Sequence, residues 1–358
     1  MPAFLRSDLP ASYGLSVTQG PHRAKLDQNE AAVDLPPELK RSLLAELEAE
    51  AWNRYIQPGA YAAAKRGLAA VFGLDPDTLA LTVGADQAIE AAFLIAGGPG
   101  RVARWFEPTY PFIAHAARRT FTGGGPIDLG IEVDARIDAA LIDAAPATDL
   151  LALVAPNNPT GGMPSAAAIE AALAEPRRLV MIDEAYADVS GFTLVDRVPA
   201  APNLFVVRSL SKASLAGAHL GFAVAHPDAI RAVERMYTAP YHLNAWQLVL
   251  ARRYGEVRPH VERAAAAVIT ERTRVFAALA ALPGIAPHPS LANFILFRLD
   301  ADAASVHAAL AASGVRIRSL GGFAALARHL RVTIGTPGEN DLFLAALERA
   351  IADPVAAI

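Results

Sequence analysis

The 358-residue sequence contains no cysteine. That excludes disulfides, thiolate metal sites and a cysteine nucleophile, and it fits a cytoplasmic setting. Lysine is nearly as scarce: Lys25, Lys40, Lys65 and Lys212 are the only four, and the other basic residues are arginines. Codon bias accounts for the arginine excess, but each lysine still calls for inspection. No apolar run approaches the ~20 residues needed to span a bilayer. Met1 to Pro10 carry Arg6 and Asp8 without an apolar core, which argues against a secretory signal. The net charge is −4 with the signs mixed along the chain. Without a basic stripe, nucleic acid is not the expected partner. No bound metal and no membrane association are expected either.

What the chain does have is apolar residues, 53% of the total against 19% charged. That is enough for a sizeable core in one large and one smaller domain. Helical patterns at Leu39–Glu50, Ala60–Phe72 and Asp86–Ile95 alternate with short apolar runs. These runs lie at Leu79–Val83, Val102–Phe106, Leu150–Val154, Leu179–Ile182, Leu204–Val207 and Leu220–Ala225. Buried strands with helical crossovers predict an α/β fold, a mostly parallel sheet covered on both faces. A long helix is predicted over Val257–Leu282, followed by an α+β pattern to the end. The expected division is a large α/β domain at 31–255 and a smaller α+β domain made of 256–358 with 1–30 as an N-terminal arm.

Ligands of open α/β sheets bind beyond the carboxyl ends of the strands. Gly84-Ala85-Asp86 follows the first run and opens a helix, which offers backbone N–H groups to a phosphate. Tyr110 follows the second run, where a planar ring could stack; an ordinary half-buried tyrosine would look the same. Asn157-Asn158-Pro159-Thr160-Gly161 follows the third and is more elaborate than a structural turn requires. Asp183-Glu184-Ala185-Tyr186 places a carboxylate directly after a buried strand, where helix capping is the simpler account. Ser209-Leu210-Ser211-Lys212 places an amine in the same kind of position. A snorkelling lysine explains it, but so does a desolvated amine able to form an imine. Amine, carboxylate, phenol, amide, stacking ring and phosphate cradle together are the equipment for pyridoxal phosphate.

With these motifs the sequence resembles the class I/II, fold-type I aminotransferases over nearly its whole length. Lys25-Leu26-Asp27-Gln28-Asn29-Glu30, Asn53-Arg54-Tyr55, Asn293-Phe294 and Leu330-Arg331-Val332-Thr333-Ile334-Gly335-Thr336 resemble the histidinol-phosphate aminotransferase branch. The resemblance implies a seven-stranded, mostly parallel sheet. It also implies Lys212 as the Schiff-base lysine and proton shuttle, Asp183 on the pyridine nitrogen, and Tyr186 and Asn158 on the ring oxygen. Tyr110 would stack on the ring; Ala85, Asp86, Ser209 and Ser211 would surround the phosphate. Tyr55 would reach that phosphate from the other subunit of a homodimer. Arg331, Arg318, Asn29 and Tyr13 are the implied substrate contacts, Tyr13 from across the dimer.

The sequence departs from the family pattern in three places. After Lys212 the usual motif loses one residue, and His219 stands where a phosphate-binding arginine is normal. His219 either replaces that arginine, making cofactor retention weaken as pH rises, or merely packs. Glu30 is followed by Ala31-Ala32-Val33-Asp34 and Tyr55 by Ile56, where the branch has proline-containing turns. The implied reaction is ping-pong transfer from histidinol phosphate to 2-oxoglutarate, as in histidine biosynthesis. An aromatic or other amino-acid aminotransferase, or a phosphothreonine-decarboxylase-like lyase, would use the same catalytic residues. A non-catalytic regulatory module is the remaining alternative.

Overall fold

In a computed structural model, residues 22–129, 137–143 and 147–352 are described. The strands in chain order are β1 (Ala24–Leu26), β2 (Leu79–Val83), β3 (Gly98–Glu107), β4 (Phe121–Asp128), β5 (Leu150–Val154) and β6 (Leu179–Asp183). They continue with β7 (Leu204–Ser209), β8 (Leu220–Ala225), β9 (Ile285–Pro287), β10 (Phe294–Leu299), β11 (Val315–Ser319) and β12 (His329–Thr333). Two sheets result. Seven strands lie in the order β2-β8-β7-β6-β5-β3-β4, and five in the order β1-β11-β12-β10-β9.

In the larger sheet β3 to β7 pair in parallel, while β8 runs antiparallel to both β2 and β7. Residues of β5, β6, β7 and β8 are buried along almost their whole length. Apolar cores therefore lie on both sheet faces, as the continuous apolar runs predict. Helix Gly84–Ala96 buries Ala88, Ile89, Ala92 and Phe93 on one face; helix Ala245–Arg252 buries Leu248 to Ala251 on the other.

The sequence pattern misses β4. Its Phe-Thr-Gly-Gly-Gly-Pro stretch reads as a loop, yet Gly124 is required where it stands. Its φ is +110°, and a Cβ there would lie 1.9 Å from the carbonyl oxygen of Ala103. The edge strand thus approaches β3 closer than any side chain allows. Also missed are the three-residue strands β1 and β9, too short to show a period.

The smaller sheet packs on helices Tyr254–Ala281, Ala303–Ala312 and Pro337–Ala352 around Phe297, Leu310, Leu330 and Phe343. Parallel pairing of β1 with β11 ties residues 24–26 into this sheet; helices Pro37–Ala49 and Pro58–Phe72 follow before the chain enters the larger one at β2. Within the segment Asp27–Glu30, Asn29 bonds both to Thr333 of the small sheet and to Tyr186 after β6. No helix among the described residues is long and apolar enough to cross a membrane.

Candidate active site

Lys212 lies just beyond the end of β7, half-buried. Lys25, Lys40 and Lys65 each pair with a carboxylate. Lys212 is the one lysine without such an ion pair among the described residues; its Nζ donates to the Gln28 carbonyl at 3.2 Å. Burial pushes the amine down to about 8, and the nearby Arg331 charge adds to this; Glu30, Asp86 and Asp183 pull the other way. An amine lowered to about 8 is neutral roughly a tenth of the time at pH 7, far more often than an ordinary lysine.

Asp183 ends β6 and is 3% exposed. Its Oδ1 accepts the Ala185 N–H at 3.0 Å, the local contact expected of a capping carboxylate. Desolvation nevertheless pushes the acid up to about 7, with Asp86 and Glu184 repelling its charge. A buried carboxylate held this high gains from a cationic or N–H partner. Glu184, next in sequence, points into other structure: it accepts from Thr193 Oγ1 and Leu194 N, both at 2.7 Å, and faces Arg208 at 3.8 Å.

Tyr186 is buried, edge-on to Phe294, and its hydroxyl accepts the Asn29 amide at 2.9 Å. Asn29 has a left-handed backbone (φ 54°), and its N–H donates to Thr333 Oγ1 at 2.9 Å. Asn293 in turn donates to the Asn29 carbonyl. Thr333 and Asn293 therefore hold Asn29 in place; both lie in quoted motifs, but their partner is more than 260 residues away and no spacing points to it. Burial raises the Tyr186 phenol to about 12, so it stays protonated and can donate.

Arg331, on β12, is 7% exposed and lies over the Phe294 ring at 5.1 Å. It donates to Asn158 Oδ1 and to the Asp27 carbonyl, while its Nε has no partner. Arg318 is its cross-strand neighbour in the β11–β12 register. Burial, and then the Arg318 charge, lower Arg331 to about 10, still a cation at any ordinary working pH. Two arginines paired in register are chemically suited to hold an anion.

The remaining residues gather at the start of helix Gly84–Ala96. Gly84 has φ +68°, and a Cβ on it would meet the His219 ring at 2.7–3.0 Å. Ser209 and Ser211 are buried at the end of β7, Ser209 facing Gly221 of β8 in register. Tyr110 donates to Asp86 Oδ1 at 3.0 Å. Burial raises Asp86, against its hydrogen bond from Tyr110 and the charges of His219 and Lys212. Ala85 packs with the apolar layer beneath. Tyr55 stands apart: it is 83% exposed, with its ring edge-on to Tyr241. Tyr13 lies outside the described residues.

This donor set fits pyridoxal phosphate: a buried carboxyl raised by desolvation, a depressed lysine amine, a protonated phenol and a glycine-opened helix terminus lie around one locus. Beside Lys212 lies a cavity of about 120 Å³ walled mainly by Ala31, Val33, Val189, Val261, Ala265 and Val268.

Residues 21–347 match the family model for aminotransferase class I and II. The histidinol-phosphate aminotransferase of Chlorobaculum tepidum is 32% identical, over 91% of this chain and 93% of that protein. The enzyme of the same name from Thermococcus kodakarensis is 32% identical, over 96% and 97%. The crystal structure of histidinol-phosphate aminotransferase from Sinorhizobium meliloti in complex with pyridoxal-5'-phosphate superposes with a TM-score of 0.80. It is 22% identical and covers 98% of this chain and 99% of that one.

Proposed function

The chain belongs to the class I and II aminotransferases, enzymes that depend on pyridoxal phosphate, and from that premise we propose that it moves the amino group of histidinol phosphate to 2-oxoglutarate. The observation that carries the substrate assignment is the full-length similarity to curated histidinol-phosphate aminotransferases, above 90% of both chains. The adjacent Arg331 and Arg318 support it. Both substrates of that reaction are anions, one a phosphate and the other a dicarboxylate, and each can be held by the same guanidinium pair.

When bound, pyridoxal phosphate supplies an electron-withdrawing ring that makes the substrate's α-proton removable. In our reading Lys212 Nζ would hold the cofactor and would move the proton on and off the substrate's α-carbon. Its depressed basicity suits both tasks. Asp183 would anchor the ring nitrogen, and its raised proton affinity would favour a proton held between the two. Tyr186, whose phenol oxygen accepts from the Asn29 amide, would donate a hydrogen bond to the ring oxygen. Asn158 couples this oxygen's surroundings to Arg331. The amino group stays with the enzyme while the first product leaves and before the acceptor enters, so the reaction is ping-pong; donor and acceptor can then use one anion receptor in turn.

The two sheets support large and small domains divided at 31–255 and 1–30 with 256–358. We further propose a homodimer in which Tyr55 completes the partner's site. Tyr55, Trp52 and Tyr241 expose 83%, 76% and 57% of their surfaces, an aromatic group suited to cover by a second copy. The cysteine-free sequence supports a cytoplasmic place of work.

Adding candidate amino donors singly to the purified enzyme, and following conversion of the aldehyde cofactor to its amine form by absorbance, tests the assignment. Histidinol phosphate should convert it fastest. Conversion by aromatic amino acids but not by histidinol phosphate would overturn the substrate. Release of carbon dioxide without accumulation of the amine form would make the chain a lyase.

A further inference from the structure

We infer that His219 supplies the cationic side chain for the cofactor's phosphate, so that the phosphate's contribution to binding falls as the pH rises through the imidazole range. The inference rests on pyridoxal phosphate as the cofactor and adds a titratable clamp to its site.

Three features place this imidazole. A Cβ built on Gly84 would lie 2.7 Å from Cε1, 2.9 Å from Nε2 and 3.0 Å from Nδ1. These near-equal distances put the ring face-on against the first residue of helix Gly84–Ala96. That helix has 13 residues, and its first turn presents free N–H groups and a partial positive charge. Secondly, His219 occupies left-handed backbone (φ 48°), costly for a residue with a Cβ. The conformation is held by Gln247, 2% exposed, whose amide donates to the His219 and Ala218 carbonyls at 3.0 and 3.2 Å. Gln247 is itself fixed by a capping box with Asn244. Finally, the hydroxyls of Ser209 and Ser211 stand at the adjoining strand end.

Among the described residues, two titratable groups bear on the ring's surroundings. From the helix side comes Asp86, tied to the Tyr110 hydroxyl; from the turn after β7 comes Lys212. The cations acting on the Asp86 carboxyl are His219 and Lys212. Lys212 is committed to the cofactor's aldehyde carbon. That leaves His219 as the countercharge for a dianion. A guanidinium would hold its charge at every working pH, whereas an imidazole sheds it within the range in which the enzyme can be studied.

The test compares two probes on cofactor-free enzyme between pH 6.5 and about 9.5: pyridoxal 5'-phosphate, and pyridoxal, which lacks the phosphate. Imine absorbance gives a Kd for each. Ionisation of Lys212 affects both alike and cancels in their ratio. The phosphate's second ionisation lies near ~6, so it is a dianion over most of the range. For the native chain the advantage of pyridoxal 5'-phosphate should fall about 10-fold or more as the pH rises. In His219→Arg it should stay high and flat. In His219→Asn, a residue that tolerates the left-handed backbone, it should be low throughout. A flat ratio in the native chain overturns the proposal whether or not the variants fold, as does a native-like ratio in His219→Asn. Absence of an imine with either probe at every pH would instead overturn the cofactor assignment.

Discussion

The Tyr186 hydroxyl accepts a hydrogen bond from the Asn29 side-chain amide at 2.9 Å, across 157 residues of sequence. One end of this bond belongs to the segment that leaves the small sheet, the other to the loop after β6. Because Asn29 takes the phenol's lone pair, the phenol's own proton remains available to the cofactor's ring oxygen. A donor there stabilises the deprotonated form of that oxygen and its imine. Tyr186→Phe should therefore keep the imine absorbance but move its titration to higher pH, by about one unit or more. It should also leave the Asn29 amide buried and unpaired, at a cost of about 1–3 kcal/mol. Spectrophotometric titration and thermal denaturation read the two effects. An unmoved titration would remove Tyr186 from the cofactor.

Asp183→Asn has an opposite signature in stability and in activity. The native acid is raised from 3.8 to about 7 in the folded protein. The folded state therefore binds the proton more tightly than the unfolded chain, and stability falls as the pH rises from about 4 to about 7. Above that window the cofactor-free protein carries the full penalty, roughly 4 kcal/mol at most from the size of the shift. Asparagine keeps an acceptor for the Ala185 N–H and carries no charge. Cofactor-free Asp183→Asn should melt higher than the native chain at pH 8, with the gap closing towards pH 4. Its transamination rate should drop about 10²- to 10⁴-fold, since the ring nitrogen loses its anionic partner.

Part of this candidate site was legible because several of its residues sit at the ends of continuous apolar runs. Asp183 closes β6, Ser209 closes β7, and Lys212 lies three residues beyond it, at the strand ends the sequence pattern anticipates. Legibility fails where function depends on distant partners or on the backbone. Nothing near Arg331 in sequence indicates that Asn158 and the Asp27 carbonyl hold two of its nitrogens and leave Nε open. Gln247 reads as an ordinary helix residue, yet it reaches the carbonyl of His219. β4 is hidden because its glycines, needed for close approach to β3, are the residues that ordinarily mark a turn. Antiparallel β8 is apolar throughout, and apolar content carries no strand direction.

Arg318 and Arg331 should separate substrates by charge. Arg318→Ala removes one member of the cross-strand pair and leaves Arg331 with its bonds to Asn158 and Asp27. KM for histidinol phosphate and for 2-oxoglutarate should rise about 10- to 100-fold, with kcat little changed, as expected when a charge-assisted contact shared by ground and transition states is lost. A donor with a single negative charge should be affected less. Equal loss across all donors would assign Arg318 a structural role.

Gly84→Ala tests the cradle sterically. The added methyl would enter the His219 ring, and the φ of +68° is unfavourable for alanine in any case. Strain of about 1–3 kcal/mol is expected, together with weaker retention of pyridoxal 5'-phosphate on dialysis. Gly217 is the matched control, since a Cβ there meets nothing within 4 Å. Gly217→Ala should retain cofactor as the native chain does. Equal retention in the two variants would separate the helix terminus from the phosphate.

Lys212→Met should abolish both the imine absorbance and turnover, the latter by at least ~10⁴-fold, and yet stabilise the protein without cofactor. The amine is lowered from 10.5 to about 8 in the folded chain, chiefly by burial. Between those values the unfolded chain binds more protons, so native stability rises with pH there; below about 8 the folded state bears the whole penalty. Methionine has similar length and no charge. It gives up the bond to the Gln28 carbonyl, but it should still gain as much as about 3 kcal/mol at pH 7. Denaturant midpoints of the two cofactor-free proteins should differ at pH 7 and converge towards pH 10.5. A less stable Lys212→Met at pH 7 would mean that the lysine serves the fold. A more stable one would mean that the chain keeps a destabilising amine for its chemistry.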